Sequence, residues 1–259
     1  MKASSVLITG TTSGLGRALL EHYAKSATKV ISVNRRRVAE LESSYPFVRF
    51  ECVDVRSASG VGELVRSLAA ADELPEVFIL NAGINRVDND ESFQLSSYRE
   101  VMDTNLDGVL NFVAPLTELP AGPTPRHIIA ISSMVNYAGS PYGLGYLSSK
   151  RALTTCFEVW SRMYAATDLV FQQVVLGPVP TAIHTLADQL PAWMRFVKDL
   201  FSASPAGAAR TIARFARTRR RKLFLPLRAL PLFVASALGQ RLVPGFLQGR
   251  RTLARKRRR

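Results

Sequence analysis

The chain has 259 residues, is 47% apolar and carries a formal net charge of +14, which fits one large globular domain with a substantial core. Its two cysteines, Cys52 and Cys156, sit in apolar segments, and its three histidines, His22, His127 and His184, are isolated, so neither a disulfide framework nor a metal site is expected. The charge is confined: 16 of the 34 Lys/Arg lie after Asp199, where no acidic residue follows, leaving 18 basic against 20 acidic residues in the first 199.

In chain order, residues 1–6 lack the apolar stretch of a signal peptide and run straight into a first strand at 6–9, which predicts a cytoplasmic protein. A glycine-rich loop follows, with Gly10, Thr12, Ser13, Gly14, Leu15 and Gly16, leading into an amphipathic helix at 15–25. Glycines here permit a tight turn, let backbone approach a pyrophosphate, and allow close helix–strand packing, while the helix N-terminus offers free N–H groups. The second strand, at 29–33, ends in Asn34-Arg35-Arg36-Arg37 with no carboxylate before Glu40. A site preferring NAD places an acidic residue there, whereas arginine suits a 2′-phosphate, so NADP is favoured over NAD, with Arg35 first and Arg36 second. The rival reading is a solvated basic helix start.

Further strands are predicted at 47–53, 77–80, 127–132, 169–175 and 222–225, with helices at 38–43, 60–70, 98–116 and 145–165. Apolar strands without polar alternation are buried on both faces, as in a parallel sheet, and right-handed crossovers put helices on both sides. The predicted fold is α/β, a doubly wound sheet of seven strands in the order 3-2-1-4-5-6-7. On the last long helix Tyr146 and Lys150 stand at i and i+4, on one face. An ammonium beside a phenol favours the phenolate and lowers its pKa, which makes an acid/base pair next to a nucleotide loop.

With these motifs in order, the chain resembles the short-chain dehydrogenase/reductase family over roughly residues 4–225. Gly10, Gly14 and Gly16 match the family's glycine loop. Asp54-Val55 resembles its adenine-holding pair, Asn81-Ala82-Gly83 its motif after the fourth strand, and Asn105 its helix-four asparagine. Ser133 lies 13 residues before Tyr146, and Lys150 completes YxxxK. After the sixth strand Gly177, Val179 and Thr181 follow the family pattern, but Leu176 stands where a proline is usual. The resemblance implies a catalytic set of Asn105, Ser133, Tyr146 and Lys150. Tyr146 would donate the proton, Ser133 would hold the carbonyl oxygen, Lys150 would also hold the nicotinamide ribose, and Asn105 would position a relay water. Homodimers or homotetramers are common in the family.

The first 225 residues read as the catalytic domain, with a substrate lid at 181–202. The apolar character of that lid, with Ile183, Leu186, Trp193, Met194 and Phe196, points to a hydrophobic carbonyl or alcohol. The same residues would equally serve to pack a helix onto the core or onto another subunit. Residues 226–259 form a basic, apolar extension whose charge-free core is too short and too rich in proline to span a bilayer. It reads as an interfacial segment for an anionic membrane surface, with an acidic carrier protein as rival and nucleic acid disfavoured for want of a reader motif. Two functions stay open at this level. One is an NADP-dependent oxidoreductase, peripherally docked at a membrane; the other is a regulatory dinucleotide-binding protein that acts through its tail.

Overall fold

A computed structural model describes residues 5–86, 93–136, 143–177 and 202–227; residues 87–92, 137–142, most of the expected lid and all of 228–259 lie outside the described residues. Seven strands form one parallel sheet: β1 Val6–Thr9, β2 Val30–Asn34, β3 Arg49–Cys52, β4 Val77–Leu80, β5 Arg126–Ser133, β6 Leu169–Leu176 and β7 Lys222–Leu225. Their order, β3-β2-β1-β4-β5-β6-β7, is the expected one.

The helices are α1 Gly14–Tyr23, α2 Ala39–Ser44, α3 Ala58–Ala70, α4 Leu95–Met102, α5 Gly108–Glu118, α6 Leu144–Met163 and α7 Pro205–Phe215. Alternate residues of each strand feed two cores. Val6, Ile8 and Val30 join α1 and α7 on one face, whereas Leu7, Ile31 and Val33 join α3, α5 and α6 on the other. That is why the inner strands read as unbroken apolar runs: both of their sides are covered.

Three elements depart from expectation. Strand β3 starts at Arg49, where pairing with Ile31 begins, so Phe47 precedes the ladder and is 97% exposed. The helix expected at 98–116 is two helices joined by a π-helical turn at Asp103–Asp107. One extra residue in that turn directs Asn105 into full burial. Helix α7 was not anticipated, although Ser204 caps it by accepting from the Gly207 N–H and Pro205 occupies its first turn.

Candidate functional site

The glycine loop leaves the carboxyl end of β1, an inner strand beside β4, where neighbouring connections diverge to opposite faces of the sheet. Gly10 and Gly14 have positive φ, +71° and +56°. A Cβ at Gly10 would lie 2.9 Å from the Ala82 Cα, and one at Gly16 would lie 1.9 Å from the Gly10 carbonyl oxygen. The loop, the turn after β4 and the start of α1 are therefore in backbone contact. Thr12 and Ser13 are exposed at the mouth, and the Ser13 side chain does not cap α1. This leaves the N–H groups of the first turn available to a phosphate. The residues present fit a dinucleotide: the cradle exists only because two side chains are missing.

Two polar clusters hold the loop. The Asn81 amide donates to the Thr9 and Gly10 carbonyls at 3.0 and 3.1 Å, while the Thr9 hydroxyl accepts from the Asn81 and Ala82 N–H groups, both at 2.9 Å. On the other side Asn34 accepts from the Thr11 N–H at 2.8 Å and donates to the Thr11 and Ser32 hydroxyls, each at 3.0 Å. Thr9, Thr11, Ser32 and Asn34 are all buried. None was singled out from the sequence for this work, because apart from Asn34 and Ser32 the partners are 21 to 73 positions apart.

At the end of β2, Arg35, Arg36 and Arg37 are exposed. Arg37 pairs with Glu42 at 3.7 Å; Arg35 and Arg36 make no ion pair among the described residues. Beyond β3, the Asp54 carboxylate is gripped by Arg56 at 2.6 Å and accepts from the Arg56 N–H at 3.0 Å. Those bonds, with its charge, hold the Asp54 carboxyl below the usual range despite partial burial. Val55 is buried against Gly108, where a Cβ would lie 2.8 Å from its Cγ2.

The reacting groups gather where β4 and β5 end. Asn105 clamps the chain after Gly83: its oxygen accepts from the Ile84 N–H at 2.8 Å, and its nitrogen donates to the Ile84 carbonyl at 2.9 Å and the Ser149 hydroxyl at 3.2 Å. A Cβ at Gly83 would meet the Asn105 oxygen at 3.1 Å and the Lys150 Nζ at 3.7 Å. Ser133, the last residue of β5, stands near enough to the phenol of Tyr146 on α6 to favour its anion. One turn on, the buried Lys150 donates to the Ile131 carbonyl at 2.8 Å, and its Nζ stands 5.7 Å from the centre of the Tyr146 ring. Asn105, Ser133, Tyr146 and Lys150, brought together from three elements, surround one end of the crevice. Val179 and Thr181 lie outside the described residues.

The short-chain dehydrogenase family profile matches residues 4–190, most of the chain. The chain belongs to the short-chain dehydrogenase family. Like other members it is an oxidoreductase of carbonyl and alcohol groups. A similar protein is the NADPH-dependent pterin aldehyde reductase of Arabidopsis thaliana, 32% identical over 192 residues that cover 71% of this chain and 76% of the relative. Another is a 3-oxoacyl-(acyl-carrier-protein) reductase of Staphylococcus aureus, 24% identical over 198 residues, 73% of this chain and 80% of that one. In fold the chain is similar to Pseudomonas aeruginosa RhlG in its NADP active-site complex, with a TM-score of 0.75 at 18% identity over 87% of this chain and 95% of the other.

In this short-chain dehydrogenase the electrostatics of the pair differ from the sequence expectation. Burial raises the Tyr146 phenol above its ordinary value, and the Ser133 hydrogen bond offsets part of that. The Lys150 ammonium is engaged by the Ile131 carbonyl and is not what sets the Tyr146 pKa. Burial instead pulls Lys150 down to about 8.

Behind the pair, Asn136 donates to the Thr154 and Ser132 hydroxyls at 2.8 and 3.0 Å and to the Lys150 carbonyl at 3.2 Å. It ties the end of β5 to α6, and so Ser133 to Lys150. Ser132 and Ser149 serve this scaffold: each spends its hydroxyl on a neighbouring element or turn.

Proposed function

We propose that the protein is an NADP(H)-dependent oxidoreductase that moves a hydride between nicotinamide and a ketone or secondary alcohol on a hydrophobic substrate. The observation that carries this reading is the gathering of Ser133 at the end of β5, Tyr146 and the buried Lys150 on α6, and Asn105, beside the loop that Gly10, Gly14 and Gly16 shape. In the reductive direction bound NADPH would supply the hydride to the carbonyl carbon. As negative charge builds on the carbonyl oxygen, the Ser133 hydroxyl donates to it and Tyr146 delivers the proton. Lys150, one turn below, holds the nicotinamide ribose. Asn105 holds the turn at Ile84 so that a water chain can reach Lys150. Residues 1–225 form the catalytic domain in this reading, with 181–202 closing over substrate and 226–259 added for docking.

The decisive experiment is an NADPH-oxidation screen against apolar ketones, β-ketoacyl thioesters and a pterin aldehyde. Turnover of the apolar ketones or thioesters is expected. Turnover of the pterin alone would remove the hydrophobic-substrate part, and reduction of none of them would remove the reductase assignment.

Cofactor choice rests on Arg35 and Arg36, exposed where β2 ends and in no ion pair among the described residues. Arg35→Ala is expected to weaken NADPH binding roughly 10- to 100-fold, the loss of a charge-assisted contact, and to leave NADH binding almost unchanged. Equal effects on the two cofactors in a fluorescence titration would remove Arg35 from the 2′-phosphate site.

The low pKa of Lys150 gives a pH dependence with a definite sign. Below pH 8 the free enzyme carries the ammonium; above it the proton is lost, about two units earlier than in an unfolded chain. Between those values the unfolded chain binds more protons, so this group makes stability rise with pH. Affinity runs the opposite way, because the cofactor needs the ammonium: the NADPH Kd of the parent should climb above pH 8. A Kd that stays flat from neutral pH into that range would show that Lys150 is not held as described.

A further inference from the structure

A cavity of about 210 Å³ opens between the later turns of α6 and the edge strand β7. Glu158 and Arg162, which line it, stand about 12 and 18 Å along α6 from Lys150, so it is separate from the crevice. Its space far exceeds the ~10–15 Å³ that admits a single water. Arg162, Arg221 and Lys222 line it together with one carboxylate, Glu158, which Lys222 pairs. Arg162 and Arg221 are exposed and form no ion pair among the described residues. Two guanidinium groups on different elements are thus left over at one opening.

The inner wall carries Gln173, which is 1% exposed. Its Nε2 donates to the Thr154 carbonyl at 2.7 Å, and its Oε1 accepts from no group among the described residues. Turning the amide over would set that oxygen against the Thr154 carbonyl, so the orientation is fixed. The backbone cannot carry the side chain elsewhere. The Gln173 N–H donates to the Arg221 carbonyl at 2.8 Å, and the ladder sets Gln173 opposite Lys222. A buried acceptor held without a donor is rare and costly. A molecule that brings a donor into the cavity relieves it.

We propose that this cavity is a second binding site, away from the dinucleotide, for a small phosphate ester that carries a hydroxyl group. Arg162 and Arg221 hold the phosphate, and the hydroxyl donates to Gln173 Oε1. A phosphate fits better than a carboxylate because two guanidinium forks approaching from α6 and from the start of β7 can share its three terminal oxygens, whereas a carboxylate offers two. Phe157, packed edge-on against Trp160 and Phe171, gives the carbon chain an apolar wall.

The test is calorimetric titration of the full chain, saturated with NADP so that the glycine loop is occupied. The probes are sn-glycerol 3-phosphate and ethyl phosphate, which lacks the hydroxyls. Glycerol 3-phosphate is expected to bind at one site, and roughly tenfold more tightly than ethyl phosphate, because one more hydrogen bond forms to an otherwise unpaired acceptor. Arg162→Gln combined with Arg221→Gln should weaken glycerol 3-phosphate roughly 100-fold, while the melting temperature and NADPH Kd keep their parental values. A parent that binds neither ester has only water in the cavity, and the proposal falls. Parental affinity in the double variant would place the phosphate elsewhere and overturn it as well. Equal affinity for the two esters would overturn the Gln173 contact and with it the hydroxylated class of ligand.

Discussion

Tyr146→Phe is expected to lower turnover roughly 10²- to 10⁴-fold while NADPH still binds with nearly parental affinity. The substitution removes one oxygen and leaves the ring, which stays half-buried on α6. The Ser133 hydroxyl loses its partner but remains at the end of β5, braced by the Val135 N–H at 3.2 Å. The loss should fall on kcat, since what disappears is a proton donor used only as the carbonyl is reduced. Stability should not fall: a phenol that burial disfavours as an anion is replaced by an apolar ring of the same shape. Parental turnover in stopped-flow NADPH oxidation would strip Tyr146 of its role. A collapse of NADPH affinity with kcat preserved would make it a cofactor ligand instead.

Gly16→Ala is expected to be nearly as damaging by a different route. The new methyl would stand 1.9 Å from the Gly10 carbonyl oxygen and 2.6 Å from the Asn81 amide nitrogen. Neither neighbour can turn away. The carbonyl is backbone in a loop with positive φ, and the Asn81 amide is engaged by the Thr9 and Gly10 carbonyls. Helix α1 must therefore shift off the loop, at a cost of several kcal/mol in overpacking. NADPH affinity should drop more than about 100-fold, because the phosphates lose the first-turn N–H groups. Gly62→Ala in α3 is the matched control. Its methyl would meet only the flexible end of Arg66, at 3.0 Å, and helix propensity favours it by about 0.5–1 kcal/mol. Gly16→Ala binding NADPH as tightly as the Gly62→Ala control would disprove the close-contact account of the loop.

The sheet was legible because its signal is local. Apolar runs such as Val77–Leu80 announce themselves, and the edge strand lost only its ends, Phe47, Val48 and Val53, which its ladder with β2 does not include. The site was legible where it is made of spaced motifs: Gly10 to Gly16, Ser133, and Tyr146 with Lys150. What stayed hidden depends on distance or direction. Asn34 and Asn136 act on partners well separated in sequence. The π-turn that buries Asn105 adds one residue to a helix whose periodicity otherwise continues. The orientation of Lys150 is set by a carbonyl 19 residues earlier, so an i, i+4 argument placed it on the correct face with the wrong effect on Tyr146. Helix α7 carried legible caps, but its buried side is mostly alanine, a weak apolar signal.

The junction between Asn34 and Arg35 separates two properties that most proteins entangle. Asn34 faces inward, and its amide fixes the shape of the glycine loop from within the core. Arg35, the next residue, faces solvent. Loop architecture is thus inherited with the interior, while in the proposed reading the preference between NADP and NAD sits on outward side chains that can be exchanged without unpacking anything. On that reading, retargeting this enzyme to the other coenzyme is a problem of surface charge at positions 35 and 36, with Asn34 left alone.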